Sequence, residues 1–513
     1  MHAIKRIPKA AIPRAPKRAP RALHTSSPVA APPKSPNRPF FPCVEAHKTR
    51  SDRLMATSVA LPSGHKSQQQ PRETPNSESG PEPAYSRPSP TSYHTYRHAS
   101  PMKLTYGEEL PQFDVAYETW GTLSPNKDNV ILLHTGLSAS SHAASTPMNP
   151  TPGWWEKFIG PRKALDTNQY FIICTNVLGG CYGSTGPSSI EPSTGQHYGT
   201  RFPVLSVFDM LQAQYHLLDH LGIDKLYASV GCSMGGMQSL AAAWLHPERV
   251  GKVISISGTA RSSPSAIAMR FAQRSVLMAD PNWNNGFYYD RLPPHAGMKL
   301  ARQIATITYR SGPEWDLRFG RKMRQSPPSQ QPFASPPVPG QPRKPALCPD
   351  FLIETYLDHQ GEQFCLKYDA NSLIYVSKAM DLFDLTQSAL QEMNMVPPPP
   401  APSPEHVNPD IAAQDVPHKT SHSKSHPPPA NPPQHLEDLA AGMAPLANTP
   451  TLILGVQSDI LFTVEQQREM ADALRMAGNE WVSYYELGGV WGHDTFLLDV
   501  QNVGGAIKGF LSS

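Results

Sequence analysis

Leu226-Tyr227-Ala228-Ser229-Val230-Gly231-Cys232-Ser233-Met234-Gly235-Gly236-Met237-Gln238 decides how this chain is read. It begins as a buried strand and ends as the start of a helix. Between them stands Gly231-x-Ser233-x-Gly235, the spacing of a nucleophile elbow. A strand that turns at once into a helix forces its apex residue into a strained backbone conformation. The residues two positions either side must be small, because strand and helix nearly touch there. Met237, Leu240, Ala241 and Trp244 continue at helical spacing. Ser233 would then stand at a helix N-terminus, where free N–H groups and the helix dipole favour developing negative charge. The same letters occur in Gly/Ser loops, so the surroundings must carry the reading.

The surroundings alternate strands with helices. Phe113–Thr119 alternates like a strand, and Val130–His134 is a short continuous apolar run, the mark of a strand buried on both faces. Tyr170–Asn176, Val253–Ser257, Thr451–Val456 and Trp481–Glu486 read as further strands. Val207 to Leu221 outlines an amphipathic helix ending at Gly222, and Glu465 to Arg475 another. Such alternation predicts an α/β fold with a mostly parallel sheet and helices on both faces. The core divides into residues 101–262 and 436–513. Residues 263–395 are mainly helical and lie between sheet strands, so they read as a lid over the strands' C-terminal edge.

The rest is compositionally biased. The 513 residues include 57 prolines, about twice the average share. Pro-rich inserts at 326–349 and 396–435 cannot build a core. The histidines at 418, 422, 426 and 435 fall in the second insert and read as solvated linker rather than a metal site. Residues 1–44 carry nine Lys/Arg and no acid, which reads as a mitochondrial (matrix) transit peptide, or else as a disordered basic tail on a cytoplasmic protein, with a disordered linker over 45–100. A net charge of +3 implies no nucleic-acid partner. No apolar run approaches the ~18 residues of a membrane span. Six widely spaced cysteines with no C-x-x-C suit a reducing compartment.

An elbow serine needs a base, and the base needs an orienting acid. Asp459 closes one late strand and His493 follows the next. Both fall at strand C-terminal ends, in the order Ser, acid, His. His493 would move the proton of Ser233, and Asp459 would fix the imidazole tautomer. The loop Thr135-Gly136-Leu137-Ser138-Ala139 leaves a central strand and can bring a backbone N–H to the serine. Leu137 and Met234 are the expected oxyanion-hole donors.

Further motifs narrow the chemistry. They are Asn176-Val177-Leu178-Gly179-Gly180-Cys181-Tyr182-Gly183-Ser184-Thr185-Gly186-Pro187-Ser188-Ser189, Tyr198-Gly199-x-Arg201-Phe202-Pro203, Asp280-Pro281-x-Trp283, Ala301-Arg302, Tyr309-Arg310-Ser311, Ser458-Asp459-x-Leu461-Phe462 and Gly492-His493-Asp494. With the elbow, they resemble the homoserine/serine O-acetyltransferase family of the α/β-hydrolase superfamily, from about residue 104 to the C-terminus. The resemblance implies an α/β-hydrolase fold with an inserted helical lid, in a homodimer. It implies ping-pong transfer of acetyl from acetyl-CoA through Ser233 to an amino-acid hydroxyl, with no bound cofactor or metal. Arg302 would hold the acceptor carboxylate and Asp494 its ammonium, with Tyr309 nearby. The acceptor is L-serine, for cysteine biosynthesis, or L-homoserine, for methionine biosynthesis. The leader is similar to that of mitochondrial serine O-acetyltransferases and favours serine. An esterase would share Ser233, Asp459 and His493 without needing Arg302 and Asp494. Two departures stand out: Ala139 lies near where the family has a glycine, and Cys232 replaces a glycine beside the serine. The second suggests an altered acceptor pocket.

Overall fold

The computed structural model describes residues 88–324, 349–397 and 432–513, with single positions between 340 and 345. The expected transit peptide at 1–44, most of the expected linker, and nearly all of both Pro-rich inserts lie outside the described residues.

Eight strands form one sheet: β1 His94–His98, β2 Phe113–Trp120, β3 Val130–His134, β4 Phe171–Thr175, β5 Ala228–Cys232, β6 Val253–Ile256, β7 Thr451–Val456 and β8 Val482–Leu487. Their order is β1-β2-β4-β3-β5-β6-β7-β8. β1 pairs antiparallel with β2, and β2 antiparallel with β4. From β4 to β8 every pairing is parallel.

β3 shows why such strands read as unbroken apolar runs. Val130 and Leu132 enter the core on one face, and Ile131 and Leu133 enter the core on the other. The first core takes in helix α1 (Val207–His220), the elbow helix α2 (Met234–Leu245) and α10 (Val464–Met476). Between them come the lid helices α3 (Pro264–Met278), α4 (His295–Thr308), α5 (Gly312–Arg318), α6 (Leu352–Cys365), α7 (Ala370–Asp381) and α8 (Gln387–Glu392), and then α9 (Pro432–Gly442). The second core is closed by Trp155, Phe158 and the terminal helix α12 (Val500–Ser512), which follows the short α11 (Thr495–Leu498). Arg270 and Arg274 of α3 both grip Asp381 of α7, which joins the two lid helices through a buried ion-pair cluster.

Two expectations are corrected. The linker does not run to residue 100. A 3-10 turn at Pro90–Ser92 and strand β1 precede that point, and β1 is added by pairing from His94 opposite Tyr117 to His98 opposite Phe113. The second half of the core starts at α9, at Pro432 rather than 436. His435, expected in linker, therefore lies on α9, and the described residues form the expected mostly parallel sheet flanked by helices, with further helices inserted after β6.

Candidate active site

Ser233 sits at the turn from β5 to α2 with φ 60° and ψ −124°. For a residue with a side chain this region costs about 1–3 kcal/mol, and only firm surroundings maintain it. Here the Ser233 N–H donates to Ile256 O at 2.9 Å, and Gly236 N–H donates to Ser233 O at 2.8 Å. The flanking glycines are steric necessities. A Cβ on Gly231 would lie 1.9 Å from Gly235 O, and one on Gly235 would lie 2.4 Å from His134 O. Strand, helix and the end of β3 meet there with no space for a methyl group.

The structure brings Ser233, His493 and Asp459 together across 260 residues of chain. His493 Nε2 lies 2.8 Å from Ser233 Oγ, and His493 Nδ1 lies 2.6 Å from Asp459 Oδ2. A carboxylate facing Nδ1 fixes the proton there, which leaves Nε2 to accept from the serine hydroxyl. Asp459 Oδ1 accepts from the N–H groups of Leu461 at 2.9 Å and Phe462 at 3.0 Å, so the carboxylate cannot swing away. All three side chains are buried, and Phe462 and Phe496 flank the imidazole. The set can take a proton from Ser233 and return it to a leaving group in a partly dry site.

The loop after β3 borders the serine: a Cβ on Gly136 would lie 3.9 Å from Ser233 Cβ. Gln238 Nε2 donates to Thr135 O at 3.0 Å, and Gln214 Nε2 donates to Gln238 Oε1 at 3.0 Å. Tyr368 of the lid donates its hydroxyl to Leu137 O at 2.8 Å. Beneath the loop, burial pushes the His134 imidazole down to about 3, so it stays neutral. Met234 is the first residue of α2, where a backbone N–H has no intrahelical acceptor. The two expected oxyanion donors, Leu137 and Met234, therefore lie on segments that run past Ser233. Gln238 and Tyr368 were not singled out from the sequence, because their bonds cross between elements remote in the chain.

The lid supplies the remaining polar groups. The Arg302 guanidinium lies over the Phe364 ring at 4.4 Å and over the Tyr309 ring at 5.2 Å. Its Nε is buried with no hydrogen-bond partner among the described residues. A cation held on aromatic faces with an uncommitted Nε–H donor suits an incoming carboxylate. Tyr309 OH donates to Thr306 Oγ1 at 3.0 Å. Asp494 follows the histidine and is mostly buried. Burial holds its carboxyl above the ordinary range and Glu314 adds to the rise, while Arg310, His493 and Arg302 offset only part of it. Arg310 Nη2 lies 3.2 Å from Asp494 Oδ2. Arg310 stood in a quoted motif without a role.

Cys232 does not line this site. It is fully buried in the core on the sheet face that Val230 shares, and burial raises its thiol well above the ordinary range. The idea that it reshapes the acceptor pocket by contact is therefore corrected. Period-two alternation from Val230 sends its side chain into the core.

Comparisons with known proteins identify the family. A family model described as the alpha/beta hydrolase fold matches residues 129–499. A serine O-succinyltransferase of Emericella nidulans is 54% identical over 96% of this chain and 91% of its own length. One from Schizosaccharomyces pombe is 50% identical over 92% of this chain and 94% of its own length. The crystal structure of a homoserine O-acetyltransferase from Bacillus anthracis superposes with a TM-score of 0.64, at 23% identity, over 82% of this chain and 97% of that one, a likeness of fold. The chain belongs to the α/β-hydrolase fold family and is an enzyme of its acyltransferase/hydrolase type.

Proposed function

We propose that this enzyme moves an acyl group from acyl-CoA to the hydroxyl of L-serine, with succinyl-CoA as the preferred donor and Ser233 as the carrier. In the first half-reaction His493 takes the Ser233 proton as Oγ bonds to the thioester carbon. The C–S bond breaks, and CoA leaves with the proton from His493. In the second, His493 takes the proton of the acceptor hydroxyl, whose oxygen bonds to the acyl carbon. The Ser233–acyl bond breaks, and Ser233 regains a proton. Asp459 holds the imidazole tautomer through both steps. The N–H groups of Leu137 and Met234 would receive the oxyanion. Arg302 would take the acceptor carboxylate and Asp494 its ammonium, with Tyr309 beside them.

The observation that carries this reading is the ordered chain Ser233–His493–Asp459 with Asp494 one residue beyond the histidine and Arg302 within its field. A hydrolase needs the first three groups. A pair of opposite charges held near them suits a zwitterionic amino-acid acceptor. The names of the two fungal relatives, matched over more than nine-tenths of their lengths, favour serine as acceptor and succinyl over the acetyl donor expected from the sequence. The product would be an O-acylserine, whose ester oxygen is a good leaving group for replacement by sulfur, in line with cysteine synthesis.

The test is steady-state kinetics with succinyl-CoA and acetyl-CoA against L-serine and L-homoserine, side by side. The highest kcat/KM is expected for succinyl-CoA with L-serine. Preference for L-homoserine, or CoA release that no amino acid accelerates, would overturn the assignment. Import into mitochondria through residues 1–44 and a homodimeric assembly belong to the same proposal. A reporter fused to residues 1–50 and sedimentation of the purified chain test them.

A further inference from the structure

The turn between α4 and α5 is fastened to the loop that carries the histidine. His493 N–H donates to Tyr309 O at 3.0 Å. Ser311 Oγ bonds to Val490 O. Gly492 fits so closely that a Cβ would lie 2.9 Å from both Ser311 N and Tyr309 O. Its φ of 62° also favours glycine. Arg310 is the central residue of this fastened turn. Its side chain is mostly buried: Nη2 reaches Asp494 Oδ2 at 3.2 Å, and Nη1 pairs with Glu314.

We propose that Arg310 is the positioning residue of acceptor recognition, the group that pairs with one oxygen of Asp494 and turns the other toward the acceptor ammonium. This rests on the proposed role of Asp494. The charged groups around that carboxylate are Arg310 on the lid turn, Glu314 on α5, Arg302 on α4 and the neighbouring His493, with Arg318 beyond Glu314 at 3.9 Å. Arg310 lies between the two carboxylates and separates like charges in a place with little water. Without it, Asp494 would face Glu314 with only Arg302 and His493 in compensation. The carboxylate would take up a proton more readily and lose its hold on a cation. The Arg310 guanidinium pairs with Asp494 and Glu314 rather than with Ser233 or Asp459, so its influence falls on the acceptor step.

The full-length enzyme tests this through Arg310→Met, Arg310→Lys and Asp494→Asn. Arg310→Met is expected to raise the L-serine KM about tenfold to a hundredfold, the scale of a lost charged hydrogen bond. It should lower the pre-steady-state burst of CoA from succinyl-CoA much less. The acid limb of acceptor kcat/KM should move to higher pH, while the acid limb of the CoA burst keeps its place. Arg310→Lys should restore most of the KM and return the limb. A normal L-serine KM with an unmoved acid limb in Arg310→Met would overturn the proposal, as would equal losses in both half-reactions. If Arg310→Met does not fold, Arg310→Gln carries the same comparison. Asp494→Asn separates the two ideas. If it leaves the L-serine KM unchanged, the ammonium role of Asp494 fails. If it raises that KM while Arg310→Met does not, the positioning role alone fails.

Discussion

Replacing Asp459 by Asn keeps the size of the side chain and reverses what His493 meets. Asp459 Oδ1 accepts two backbone N–H groups, from Leu461 and Phe462, so an amide in its place must keep its oxygen there. Its NH2 group is then forced onto the position of Oδ2, 2.6 Å from His493 Nδ1. A donor cannot face an N–H. The imidazole must move its proton to Nε2, which points an N–H at Ser233 Oγ and removes the base. A carboxylate-to-amide change of this kind in a serine triad costs about ten-thousand-fold in rate, or about 5.5 kcal/mol at 1.36 kcal/mol per decade. The fold should survive, because the two N–H groups keep their acceptor. The assay is single-turnover release of CoA from succinyl-CoA, followed with a thiol reagent, beside a urea titration. A loss below about tenfold in a folded variant would refute the tautomer argument.

Three further outcomes follow from the geometry. Gly235→Ala places a Cβ 2.4 Å from His134 O, a backbone atom that cannot step aside; it should destabilise the fold by about 3 kcal/mol, the upper end of overpacking costs, in urea unfolding. Cys232→Ala should keep kcat/KM within about threefold while costing about 1–2 kcal/mol of stability, since the thiol is core and not site. A loss of activity out of proportion to stability would return Cys232 to the pocket. Gln238→Met removes the donor that holds Thr135 O, and the displaced loop should lower kcat about tenfold to a hundredfold with little change in KM.

The elbow was legible because sterics leave few choices: close contact of strand and helix demands Gly231 and Gly235, and that demand is local. The parallel strands were legible because burial on both faces shows as an apolar run, as in Val130–His134. β1 was not. His94-Thr95-Tyr96-Arg97-His98 is largely exposed at the sheet edge and has no apolar alternation. Its strand form comes from the partner β2, and the Arg97–Asp114 pair that helps fix it joins residues 17 apart. Arg302 and Asp494 were nameable only through resemblance, since a helix arginine and a loop aspartate carry no local sign of what they face. Arg310 escaped for a related reason. Its contact with Asp494 exists because the lid turn docks on a loop some 180 residues later, held by bonds onto backbone carbonyls that sequence patterns do not encode.

The role of Ser233 as carrier between a thioester and an amino-acid hydroxyl is open to one direct measurement. The enzyme is mixed with succinyl-CoA alone, quenched and digested, and the peptide holding Ser233 is weighed with and without a chase. Succinyl should sit on Ser233, persist against water, and be discharged by L-serine much faster than by L-homoserine. An unlabelled Ser233, or a label that water removes as fast as L-serine does, would contradict it.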